Sequence, residues 1–190
     1  MKKIVLLTAA LFISVVAFSQ VSFGLKGGLN YATLTNDEES NFKPSVYGGA
    51  FMEYRLGFIA SISPELYYSR QGASAKEDGI EAQFRLNYVN LPVLVKLYLA
   101  DGLSLDLGPQ LGYLLDAKLW GKEDGVSATV DAKEFLDMNK IDVGFAAGLT
   151  YNIGKFFLQG RYNIGFIDVV KDDVDHSKNN VIQLGVGIRF

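Results

Sequence analysis

The sequence predicts an all-β protein: an eight-stranded antiparallel up-and-down transmembrane β-barrel. Three observations lead there. Beyond an N-terminal leader, eight segments alternate large apolar residues with small or polar ones at period two, the mark of half-buried strands. Their connections alternate between tight, glycine-bearing turns and long polar loops, the rhythm of an up-and-down meander. An open meander of this length would leave two exposed edges, and closure removes both.

The leader comes first. Lys2 and Lys3 precede a run from Ile4 to Phe18, and Ala17 and Ser19 supply the small residues of a cleavage site before Gln20. Residues 1–19 are therefore expected to be an export signal, and residues 20–190 a single barrel domain. The run is too short for the ~20 apolar residues a membrane-spanning helix needs.

The segments run Val21 to Leu34, Ser45 to Arg55, Phe58 to Arg70, Phe84 to Leu99, Leu103 to Lys118, Lys140 to Asn152, Lys155 to Phe166 and Asn180 to Phe190. Tight turns fall at Leu56-Gly57, Ala100-Asp101-Gly102 and Ile153-Gly154. Long connections cover Thr35 to Pro44, Gln71 to Gln83, Leu119 to Asn139 and Ile167 to Lys178, all rich in Asp, Glu, Lys, Asn and Ser. Within Leu119 to Asn139, the stretch Ala132 to Met138 is expected to form one or two helical turns. That loop is the best candidate for contact with a partner.

Periodicity alone does not say which row faces in, because soluble and membrane barrels exchange the two. Side-chain volume decides it. One row carries residues such as Leu25, Leu29, Leu66, Val93, Leu105, Leu149, Leu158 and Leu184, too bulky as a set for the lumen of eight strands. The opposite row carries Gly24, Gly28, Gly49, Gly108, Gly112, Gly144, Gly148, Gly165, Gly185 and Gly187. The bulky row then faces outward, where only hydrocarbon can accept it.

Charges sit among the small inward residues: Lys26, Arg55, Lys96, Arg161 and Arg189 against Glu53, Glu65, Asp106, Asp116 and Asp142. Charges in a narrow lumen surrounded by lipid are costly unless paired. The five-against-five balance predicts a structural ionic plug. The alternative is a narrow pore for small ions or solutes, because ionisable groups at membrane depth often mark conduction routes.

Several functions are disfavoured by composition. A net charge of −3 without basic runs argues against nucleic acid as a partner. The absence of cysteine excludes disulfides, thiol catalysis and Cys-ligated metal. The single histidine, His176, lies in an Asp-rich loop without the glycine and terminal Glu of a calcium loop, and without a catalytic serine motif. No catalytic, cofactor-binding or metal residue is expected, and no enzymatic activity. Trp120 and Tyr113 are read as interfacial anchors.

The segments "GLKGGLN" (24–30), "PELYYSRQGA" (64–73), "LNYVNLPVLVKLYL" (86–99), "LGPQLGYLL" (107–115), "GRYNIG" (160–165) and "GVGIRF" (185–190) together resemble the small outer-membrane β-barrels of Gram-negative bacteria, the PorT-like or OmpA-like barrel domain. The resemblance covers nearly all of the chain beyond the leader. It implies residence in outer-membrane lipid, long loops outside, both termini in the periplasm, and no common activity. It also implies that the terminal aromatic, Phe190, is an assembly signal read by the barrel-insertion machinery. Loop 119–139 is then the expected contact for an envelope or surface protein.

Overall fold

The computed structural model describes residues 20–34, 41–71, 73–77, 80–123, 126–131, 138–168 and 178–190. The export leader, His176 and most of the expected helical turns at 132–138 lie outside them. The strands are β1 (Val21–Leu34), β2 (Asn41–Leu56), β3 (Ala60–Gln71), β4 (Ala73–Glu77), β5 (Ile80–Ala100), β6 (Leu103–Glu123), β7 (Val126–Asp131), β8 (Ile141–Ile153), β9 (Phe156–Asp168) and β10 (Lys178–Arg189).

Eight of these form the closed antiparallel barrel: β1, β2, β3, β5, β6, β8, β9 and β10. Closure is made by β1 against β10, from Gly24↔Arg189 to Leu34↔Asn179. The Phe190 amide adds a further bond to the Phe23 carbonyl at 2.8 Å. The last residues are ordered because they are one side of a seam. Each tight turn carries a glycine at positive φ, 79° at Gly57, 79° at Gly102 and 61° at Gly154, a conformation that a Cβ would penalise.

The two short strands lie in connections expected to be loops. The β4–β5 pairing (Ser74↔Gln83) keeps the register of β3–β5 (Gln71↔Leu86), so the hairpin continues past the barrel wall. On the other side β7 pairs with the end of β6, from Lys118↔Asp131 to Glu123↔Val126. Backbone ladders satisfy the same groups in water as in lipid, so nothing stops them where the hydrophobic pattern ends.

Burial is inverted relative to a soluble protein. Leu184 is 53% exposed and Leu158 51%, whereas Asp106 is 1% and Arg161 3% exposed. None of the residues of the expected outward row is buried. Such a continuous apolar wall around a charged interior is stable only in a bilayer. The inward row is less uniformly small than expected. Tyr47, Phe51, Tyr67, Tyr88 and Phe157 are buried inside, as are Leu86, Leu94 and Leu114. The glycines explain how they fit. A Cβ on Gly24 would strike the Phe51 ring, one on Gly187 the Phe157 ring, and one on Gly185 the Tyr47 hydroxyl. Rings from one strand lie over glycines of the next strand or of the one beyond it, and the lumen is filled by this large-against-small matching.

Candidate functional site

The inward face of each strand presents its polar groups to one axis. On β3 the odd residues Ser61, Ser63, Glu65, Tyr67, Ser69 and Gln71 are buried, and on β9 so are Phe157, Gln159, Arg161, Asn163 and Gly165. These two strands are not neighbours in the barrel. They meet across the lumen, where Arg161 donates to both oxygens of Glu65, Nη1 to Oε2 at 2.7 Å and Nη2 to Oε1 at 2.9 Å. Lys26 of β1 donates to the same Oε2 at 2.6 Å. Its ammonium lies 5.1 Å from the Tyr67 ring centroid and 5.8 Å from that of Tyr47, which lends each cation face a π surface.

From this centre the network descends toward the short turns. Lys26 also donates to Gln159 Oε1 at 3.1 Å, and Gln159 Nε2 donates to Asp106 Oδ2 at 3.0 Å. Asp106 further accepts from Thr150 at 2.5 Å and from Ser104 at 2.8 Å. Lys96 stands between two carboxylates, 3.6 Å from Asp106 and 3.7 Å from Glu53. Glu53 accepts from Arg189 at 2.9 Å and from the Tyr98 hydroxyl at 2.5 Å. One connected set of ion pairs and hydrogen bonds thereby includes a residue from each of the eight barrel strands. It holds four cations, Lys26, Lys96, Arg161 and Arg189, against three carboxylates, Glu53, Glu65 and Asp106.

Toward the long loops the lumen's hydrogen bonds run mainly between neutral side chains. Asn30 donates to Ser69 Oγ and to the Arg70 carbonyl, both at 2.8 Å, and accepts from Gln183 at 2.9 Å. Gln71 donates to Ser69 at 2.9 Å and accepts from Asn179, while Tyr67 donates to Gln110 at 2.7 Å. Phe51 and Phe157 meet edge to face, 5.4 Å between centroids, near the opposite end.

Three of the ten expected lumen charges stand elsewhere or alone. Arg55 is exposed beyond the end of the barrel, its guanidinium 4.6 Å from the Tyr98 ring centroid. It shares the inward parity of Glu53 but lies past the lumen, next to the tight turn. Asp116 is outside altogether. Asn87 pairs with Asp116 but Tyr88 with Leu114, so Leu115 is the extra residue of a β-bulge. Beyond a bulge the faces exchange. Asp116 therefore turns outward, where it lies 3.2 Å from Lys118. Asp142 does face the lumen, beside Gly112 and Gly165, but has no basic partner among the described residues, and its Oδ1 accepts no hydrogen bond. Phe190 lies at the short-turn end with its ring exposed.

The neutral members Gln159, Thr150, Tyr98 and Asn30 are not among the expected lumen residues, whereas the strand alternation does place Gln183 there. Their parity was readable from the strand pattern, but only the three-dimensional path shows that they bridge charges. Among the described residues no three His, Asp or Glu side chains converge as a metal site.

The chain matches, over residues 17–171, the family described as the outer membrane protein beta-barrel domain. It belongs to that family. It is thus an integral barrel of the cell outer membrane, in contact with the lipid of that membrane. Solved structures agree on the fold. Neisserial surface protein A is 13% identical, with 90% of this chain and 98% of that one covered at a TM-score of 0.53. Ail, the attachment invasion locus protein of Yersinia pestis, is 16% identical, with 90% and 97% covered at 0.51. CarO of Acinetobacter baumannii is 10% identical, with 87% and 97% covered at 0.50. At such identities the likeness is one of fold alone. No curated protein sequence matches the chain.

Proposed function

We propose that this barrel is non-enzymatic, that its polar lumen is plugged, and that its role is structural or one of interaction through the long-loop end. The observation that carries the plug is the single network joining all eight barrel strands across the lumen. In it Glu65 accepts three charge-assisted hydrogen bonds from side chains no more than 1% exposed. Opening a path for ions would separate such pairs, and breaking one buried pair costs about 3–5 kcal/mol. A conducting lumen needs the opposite, sites weak enough for an ion to leave.

Purified protein in planar bilayers is expected to show no steady unit conductance. Reproducible steps in the wild type that change when Glu65 or Arg161 is neutralised would support the narrow pore instead. The interaction role is placed on Leu119 to Asn139, where β7 extends the sheet beyond the barrel. An affinity pull-down from intact envelopes, wild type against a variant lacking 119–139, is expected to lose a specific envelope or surface protein. An identical set of captured proteins would remove the role from this loop. Residues 1–19 are read as the cleaved export signal, so the intact mass of the membrane-extracted protein is expected to begin at Gln20.

A further inference from the structure

Asp142 is the lumen carboxylate that the ionic network leaves out. The register makes Asn90 of β5, Gly112 of β6 and Asp142 of β8 one inward-facing row across three strands. Gly112 has no side chain, and its two neighbours lean over it from either side. Asn90 Oδ1 and Asp142 Cβ lie 2.9 and 3.2 Å from the point where a Gly112 Cβ would stand, and the Tyr88 ring comes within 3.5 Å of the same point. On the other flank, Asp142 Oδ1 and the backbone oxygen of Asn179 lie 3.4 and 2.7 Å from the corresponding point on Gly165.

Three oxygens gathered here accept no hydrogen bond among the described residues: Asp142 Oδ1, Asn90 Oδ1 and Asn179 Oδ1. The carboxyl is oriented by the Asn179 side chain and the Val143 amide, which leave Oδ1 without a donor. Asn90 is 1% exposed and bonded at neither end of its amide, so it is free to present its oxygen. Asn179 is 3% exposed, and its nitrogen donates to Gln71. Buried polar atoms are nearly all partnered in folded proteins, so three bare acceptors around one carboxylate require an explanation. The protein's own cations do not supply it. The row that pairs Arg161 with Gly148 lies six residues down β8, about 20 Å along the strand. Lys140 is exposed, and Lys178 stands opposite Asp168 in the β9–β10 register.

We propose that this group of oxygens binds a single alkali-metal cation. Asp142 Oδ1, Asn90 Oδ1 and Asn179 Oδ1 are its protein ligands, and water completes the shell from the long-loop end, where the half-buried Asp142 opens β8. Carboxylate and amide oxygens are hard donors of the kind such ions take. One carboxylate balances one positive charge, whereas a divalent ion would leave a surplus charge buried. A water molecule alone would pair with the oxygens without neutralising the carboxylate. One acid among amides is not the cluster of acids that a metal motif displays, so the sequence pattern gives no sign of it. The site lies above the ionic network and does not rest on the lumen being plugged.

The test uses the full barrel refolded in phosphatidylcholine vesicles, with urea unfolding followed by Trp120 fluorescence. Choline chloride, which screens charge but is too bulky for the site, is replaced stepwise by sodium or potassium chloride at constant ionic strength. The folding equilibrium constant is expected to rise saturably, by about 10-fold when the ion reaches roughly ten times its Kd. Asp142→Asn keeps the shape and removes the charge, so it should show no rise, and in choline alone it should be at least as stable as the wild type. Asn90→Leu retains the carboxylate but loses one ligand, and should weaken ion binding several-fold even if Asp142→Asn fails to fold. Equal wild-type stability in choline and alkali salts, an undiminished rise in Asn90→Leu or a folded Asp142→Asn, or a larger rise with calcium chloride would overturn the assignment. Unit conductance in planar bilayers would refute the plug and leave this result untouched.

Discussion

Glu65→Gln is the substitution for which the structure gives the largest expected effect of a single neutralisation. The Glu65 carboxylate receives Lys26 at 2.6 Å and Arg161 at 2.7 and 2.9 Å, and all three side chains are at most 2% exposed. Removing one member of a buried pair costs about 3–5 kcal/mol because its partner stays charged and desolvated. Here one change strands two cations, so the loss is placed at the upper end, about 5 kcal/mol. Lys26→Met leaves the two-pronged Arg161 pair intact and removes the bonds to Glu65 and to the neutral Gln159, the ion pair with Glu65 contributing about 1.5–3 kcal/mol. The double variant, Lys26→Met with Glu65→Gln, should then be more stable than Glu65→Gln alone, because it removes one of the two stranded cations. Urea unfolding of the barrel in lipid vesicles, followed by Trp120 fluorescence, measures all three. Additive losses, or a Glu65→Gln loss no larger than that of Lys26→Met, would refute the reasoning.

Phe157 is 3% exposed and packs edge to face on Phe51, so Phe157→Ala should lower the same unfolding free energy by about 3–5 kcal/mol through the cavity it leaves. A Cβ at Gly49 would strike the backbone of Leu66 and Tyr67 on the next strand, so Gly49→Val should abolish the heat-modifiable folded species on gels. Deletion of Phe190 should reduce the inserted fraction in cells several-fold, while refolding of the purified variant into vesicles falls much less, because only one seam hydrogen bond, to Phe23, is lost. Equal impairment in both settings would make Phe190 a matter of stability rather than recognition.

The barrel was legible in the sequence because its determinants are local. A period of two fixes which residues share a face, and the glycines at 57, 102 and 154 mark turns whose positive φ only they adopt easily. The pairing of charges is not local. Glu65 and Arg161 are 96 residues apart and on strands that do not touch, so their contact depends on barrel diameter and stagger, which no segment encodes alone. Asp116 was misplaced because a bulge is one extra residue, invisible to a strict alternation that reads straight through it. The inward rings escaped notice for a related reason. Glycine at 24 and 187 looks like a sign of a lumen too tight for any side chain, whereas it makes room for Phe51 and Phe157 arriving from neighbouring strands.

The interior network also bears on how the barrel behaves as a unit. Ladder hydrogen bonds tie each strand only to its two neighbours, so a barrel held by ladders alone can open at any seam and peel hairpin by hairpin. The lumen contacts run between strands that share no ladder: β3 to β9 through Glu65 and Arg161, β1 to β9 through Lys26 and Gln159, and β2 to β10 through Glu53 and Arg189. The last two straddle a single strand, while the first crosses the full lumen. Opening the β1–β10 seam would pull Lys26 away from Gln159 and Arg189 away from Glu53, and so expose charge to the bilayer at the moment the ladder breaks. The lumen charges therefore couple seam opening to the loss of buried ion pairs, and this makes unfolding cooperative across strands that never touch.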